Sequence, residues 1–177
     1  MMKRLEKSIY SLVCLIMLSG TVSGQSIPPA SATGHVFAEV IPIFAASETA
    51  QMNFGRFSPG PLGGEIILTP ESTLLVLGSV YKGTGPHNSA SFYVSGDLDA
   101  SYTISLPVAP VILTHISSAK TMRVENWVSI PAPGNGAGKL TNGYQVVYVG
   151  ATLKIGTIDD NPVGVYTGSY TITFDFN

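Results

Sequence analysis

Residues 164–177, GVYTGSYTITFDFN, alternate without a break. Tyr166, Gly168, Tyr170, Ile172, Phe174 and Phe176 fall on one face, and Thr167, Ser169, Thr171, Thr173 and Asp175 on the other. A period of two over this length fits a half-buried strand and conflicts with the 3.6-residue period of a helix. The rest of the chain follows the same habit. The segments HVFAEVIPIFAA, AQMNFGRF, GEIILTP, TLLVLGSVY, ASFYVSG, ASYTISLP, KTMRVENWVSI and YQVVYVGATLKIG are short, apolar and β-branched. Turn residues separate them: Pro59-Gly60-Pro61, Gly63-Gly64, residues 82–88 and 95–97, PAPGNGAGK, Asn142-Gly143 and residues 159–162. Strand-like runs punctuated by Gly, Pro, Asn and Asp predict an all-β antiparallel sandwich. Its expected core includes Phe54, Leu75, Phe92, Ile104, Val124 and Val149. No window combines a helical period with caps, and no solenoid repeat is present.

The first 24 residues read as a signal peptide. Lys3, Arg4 and Lys7 precede the apolar run IYSLVCLIML, and the small residues of SGTVSGQ follow it. The run is short for a transmembrane helix, so the chain is expected to be exported. Removal of that segment takes three of the 9 basic residues and one of the 11 acidic ones, leaving six against ten and a formal charge of −4. Such a balance offers nothing to nucleic acid. Cys14 leaves as well, so the mature chain folds without disulfides. With 11% charged residues, its surface is poor in charge, which suits a protein packed against copies of itself.

Candidate chemistry is sparse, and the chain is not expected to be an enzyme or to hold a cofactor. GNGAGKL (residues 134–140) has three residues between its first Gly and the Gly-Lys, where a phosphate loop needs four, and Leu140 replaces the hydroxyl residue. It reads as a flexible hairpin loop. His35, His87 and His115 stand in separate segments without ligand spacing, so no metal site is expected. Asp97 with Asp99, and Asp159 with Asp160, suit turns better than a pair of catalytic carboxylates. Trp127 could stack on a sugar, but its strand also carries Met122, Val124 and Val128, which favours a core or interface position. Tyr144 and Tyr148 share one face of their strand.

The ending also resembles a known pattern. Counted back from Asn177 as the first, Gly164 is the fourteenth residue and Phe176 the penultimate one, with alternating apolar residues between them. This is similar to the C-terminal β-zipper of chaperone–usher pilins. MNFGRFSPG, ASFYVSGD, YTISLP and VGATLKIG look like a broader group of secreted bacterial fimbria-like domains, and the chain differs from many pilins in having no disulfide. The resemblance implies an immunoglobulin-like sandwich missing its last strand. A periplasmic chaperone, and then the N-terminal strand of the next subunit, would fill the gap by β-augmentation. It further implies export through the periplasm and an outer-membrane usher, and a place in a surface fimbria among copies of this chain or related pilin subunits. The acceptor strand would be Gly164, Tyr166, Gly168, Tyr170, Ile172, Phe174 and Phe176, with Gly168 leaving room for a partner side chain.

On this reading residues 25–34 are a flexible leader, and 35–177 form one domain whose residues 35–41 are the candidate donor strand. Val36, Ala38 and Val40 would enter the neighbour's core. The opposite register would bury Glu39 without a partner, at a high desolvation cost. The other reading is a self-contained secreted β-sandwich, an adhesion or carbohydrate-binding module. In it the N-terminal segment pairs within its own domain.

Overall fold

The computed structural model of the chain describes residues 29–176. The expected signal peptide, residues 25–28 of the leader and Asn177 lie outside the described residues. The described residues form eleven strands: β1 (Ala45–Ala50), β2 (Phe57–Leu68), β3 (Leu74–Lys82), β4 (Ala90–Ser95), β5 (Ser101–Ser105), β6 (Val111–His115), β7 (Thr121–Ile130), β8 (Gly134–Lys139), β9 (Tyr144–Ile155), β10 (Tyr166–Thr167) and β11 (Thr173–Phe176). Their only helical element is the 3-10 turn Thr141–Gly143. Every strand pair is antiparallel, and the fold is an all-β sandwich of two curled sheets.

Strand β9 organises the larger sheet. Thr152 pairs with Ile67 of β2 on one side and Glu125 of β7 on the other, while Val149 pairs with Ala90 of β4 and Ser129 of β7. One edge of β9 is therefore shared by β4 and β2, and the other belongs to β7. The sheet continues through β6 and ends at β10. On its outward face Lys154 bonds Glu65 and lies 3.7 Å from Glu125.

The second sheet is only three strands wide, in the order β11-β5-β8. It closes over a core of Ala90, Val94, Tyr102, Ile104, Leu140, Val147 and Val149. A second core cluster, Ile66, Val80, Met122, Val124, Ala151, Leu153 and Ile155, lies under β2, β3 and β7. Its cover is a set of half-buried side chains that includes Met52, Phe54, Phe57 and Tyr166. Half of the core thus lacks a regular second layer.

Several expectations need correction. GNGAGK is strand β8 and not a hairpin loop: Tyr102 pairs with Gly138 and Ser101 with Lys139. The glycines serve close packing, because the Tyr102 ring lies flat against the β8 backbone. Leu75 is 50% exposed, since its pairing with Ile67 turns it outward and leaves Leu74 and Val76 facing the core. Ile104, Val124 and Val149 are buried as expected, and Phe54 and Phe92 pack half-buried against the clusters. The segment HVFAEVIPIFAA has no strand before Ala45.

Tyr102 is fully buried and donates its hydroxyl to Gln145 Oε1 at 2.7 Å, which also accepts the Lys139 amide at 2.9 Å. Burial pushes its pKa up to about 12. A phenol whose folded value lies above the unfolded value of about 10 contributes stability that is fully present below that pH. This contribution is lost as pH rises through the folded value. Lys154, held protonated mainly by its bond to Glu65, acts in the same sense. The melting temperature should therefore fall steeply above about pH 10. Tyr102→Phe should flatten that fall, and an unchanged alkaline profile in the variant would contradict it.

Candidate functional site

The uncovered half of the core opens into an elongated cavity of about 1040 Å³. Residues 51–59 form one wall and residues 161–170 the other, with Phe92, Val111, Leu113, Met122, Val124, Trp127 and Leu153 between them. In the other half of the sandwich Phe44 meets Phe176 edge-on, with ring centroids 5.8 Å apart.

Each wall is tied down by polar contacts. Asn53 and Asn88 exchange two backbone hydrogen bonds at 2.9 and 3.0 Å, and the Gly83 amide donates to the Arg56 carbonyl at 2.7 Å. On the other side Asn161, buried, donates to the Thr121 carbonyl at 2.8 Å and accepts the Gly156 amide at 2.6 Å. Asp160 accepts from the Thr157 amide and hydroxyl, which hold its carboxyl below the ordinary range. The aspartate pair at 159 and 160 thus contributes to a turn. His115 Nδ1 accepts the Ser117 amide at 3.0 Å, so Nε2 carries the proton and donates to the Val163 carbonyl at 3.1 Å.

Among the described residues no ladder joins the two walls. β2 pairs with β9 only through residues 64–68, so residues 57–63 have no ladder partner on that side. β10 is the last strand of its sheet. An extended segment laid between them would meet the β2 edge at residues 57–59 on one hand and the β10 edge on the other, with apolar side chains beneath.

The C-terminal alternation survives in burial: Tyr166, Tyr170, Ile172 and Phe174 are half-buried, while Thr167, Ser169, Thr171, Thr173 and Asp175 are exposed. It does not form one strand. Tyr166 and Thr167 pair with His115 and Thr114 of β6, residues 168–172 belong to no ladder, and residues 173–176 pair with β5 in the other sheet. A chain that passes from one sheet to the other must leave the first ladder before joining the second.

The expected acceptor residues accordingly separate. Gly164, Tyr166, Gly168 and Tyr170 line the cavity. Ile172 and Phe174 pack into the closed cluster, and Phe176 is 52% exposed beside Phe44. Tyr166 donates to the Pro162 carbonyl at 3.0 Å and packs edge-on to His115 at 5.0 Å. The space beside Gly168 is not vacant. A Cβ there would stand 2.5 Å from the Ile112 carbonyl oxygen, so the glycine permits close approach to β6 and leaves no room for a partner. The expected donor residues Val36 and Val40 are each 97% exposed, and Ala38 is exposed with them; described residues 29–43 form no strand.

Residues 44–176 match the family described as a domain of unknown function, DUF4402. The chain belongs to the DUF4402 family. No curated protein and no solved structure matches it. The stretch shared with DUF4402 begins at Phe44, so it contains both cavity walls and leaves out residues 34–41. Among the described residues of this DUF4402 chain, no three His, Cys, Asp or Glu side chains converge as metal ligands, and no helix is long and apolar enough to cross a membrane.

Reading the sequence expected Phe54, Phe92 and Val124 in the core and Trp127 at a core or interface position, but gave no sign of the cavity they line. The side that Trp127 takes is set by a bulge. Between Glu125 and Val128 the β7 register slips by one residue, with Asn126 at a φ of 53°. The extra residue turns Trp127 inward with Met122 and Val124, and leaves Val128 exposed. Asn126, a residue tolerant of left-handed backbone, is the single local hint.

Proposed function

We propose that this chain is a structural subunit of a surface fimbria, assembled by donor-strand complementation. The observation that carries this reading is the apolar cavity between residues 51–59 and 161–170, whose walls share no ladder and whose floor is the core. An open core beside free strand edges is an aggregation hazard in a monomer and a socket in a polymer. The occupant is the N-terminal stretch 34–41 of another copy, exposed along its length and carrying Val36, Ala38 and Val40 at alternate positions. With Val36, Ala38 and Val40 turned inward, Glu39 lies at the rim, where the cavity wall offers Arg56. A periplasmic chaperone would occupy the same cavity before assembly, and an outer-membrane usher would deliver the subunit to the cell surface.

A second reading, the carbohydrate-binding module, draws on the outer face of the large sheet. Tyr93 and Tyr144 stack there at 5.6 Å and 19°, and Tyr148 is exposed on the same strand face. It requires no polymer.

The experiment follows from the exposure of Val36 and Val40. A Val36→Asp/Val40→Asp variant should melt within about 1 °C of wild type, because exposed positions outside the sheets contribute little. Wild type should form ladders on unheated SDS gels, and the variant should remain monomeric, since each buried unpaired charge costs several kcal/mol. A monomeric wild type, or a variant that polymerises normally, would overturn the proposal.

A further inference from the structure

Trp127 Nε1 and the Tyr170 hydroxyl are both buried, and neither has a hydrogen-bond partner. Both residues line the cavity, and their rings rest on each other with centroids 4.6 Å apart and a tilt of 39°. Two orphaned donors in one contact are unusual, because most buried polar groups are paired. Tyr170 also packs edge-on to Phe92 at 6.3 Å.

From this arrangement we infer that Trp127 and Tyr170 are the backbone-reading donors of the cavity. When the extended segment of a second copy enters, the Tyr170 ring tilts away from Trp127, and both groups donate to carbonyl oxygens of that segment. The inference rests on the assembly proposed above and names the residues that hold the incoming chain.

Three observations support it. Residues 168–172 belong to no ladder, so Tyr170 can swing without breaking a sheet hydrogen bond. Burial, with a smaller contribution from Glu48, raises the pKa of its phenol, so the hydroxyl keeps its proton and remains a donor. An extended segment presents carbonyls regardless of its side chains, and an indole N–H can only donate. The groups left over in the empty cavity are therefore of the kind an added strand satisfies.

The test uses the full-length Val36→Asp/Val40→Asp chain as a monomeric acceptor and a labelled synthetic peptide of residues 34–41. Trp127 is the chain's single tryptophan, so its emission should shift as the peptide saturates the acceptor. Adding Tyr170→Phe, or Trp127→Phe, should weaken peptide binding by about tenfold in anisotropy titrations, the equivalent of one hydrogen bond. Tyr170→Phe should also melt at or above the temperature of its parent, because an orphan hydroxyl has been removed. Peptide that binds the parent but binds both variants equally well would overturn the inference and leave the assembly standing. Peptide that fails to bind the parent would overturn both.

Discussion

Replacing Gly138 with Val should cost roughly 3 kcal/mol or more and leave little soluble protein. A Cβ at this position would lie 2.2 Å from Cζ of Tyr102 and 2.4 Å from both Cε atoms. That ring is fully buried and touches Phe44 and Phe174, so it has nowhere to retreat. Either β8 leaves β5 or the ring leaves the core, and both open the three-stranded sheet. Thermal unfolding followed by circular dichroism should show a midpoint lower by at least about 6 °C, given roughly 2–4 °C per kcal/mol in a domain of this size. Lys139→Ala is the control. Its side chain faces solvent and lies 3.8 Å from an exposed Asp99, so it should change stability by less than about 0.5 kcal/mol. Equal melting of the two variants would show that Tyr102 does not need the glycine.

Gly168→Trp should detach the C-terminal segment from β6 at a cost of about 2–4 kcal/mol. The first carbon of the new side chain would collide with the Ile112 carbonyl oxygen and stand 2.9 Å from Leu113 Cδ2. Hydrogen exchange should then accelerate at the amides of β10, of its partner Thr114 and of Ile116, which donates to the Val165 carbonyl in wild type. Thr171→Asp, on the exposed face, should leave exchange and melting near wild type. A Gly168→Trp protein with wild-type exchange at Thr114 would contradict the close approach. Because this substitution damages the cavity wall, its effect on polymer yield would not isolate the incoming strand. Val36→Asp/Val40→Asp leaves the wall intact and does.

How much could be read from residues alone depended on how far each feature reaches along the chain. The all-β class follows from β-branched runs and their turn residues. The inward side chains of Tyr166, Tyr170, Ile172 and Phe174 follow from a period of two. Both are local, and both hold in the sandwich. Leu75 and GNGAGK misled, while Trp127 took the core or interface position expected of it, and each outcome was set by a partner strand. Which face a strand residue takes depends on the register with its partner, and a slip of one residue reverses it. The slip in β7 puts Trp127 into the cavity, the pairing of Leu75 with Ile67 turns that leucine outward, and Tyr102 makes a strand of a glycine-rich stretch.

The cavity is still further from local sequence. It exists because the second sheet stops at three strands while the first extends through β6 and β10. No segment encodes that difference in width, since it arises from pairings between residues far apart in the chain. The sequence by itself determined a chain of β-strands with a single cysteine and one apolar face along its last residues. Only the tertiary structure decided that this face would be shared between two sheets, and that the core between the terminal segments would stay open.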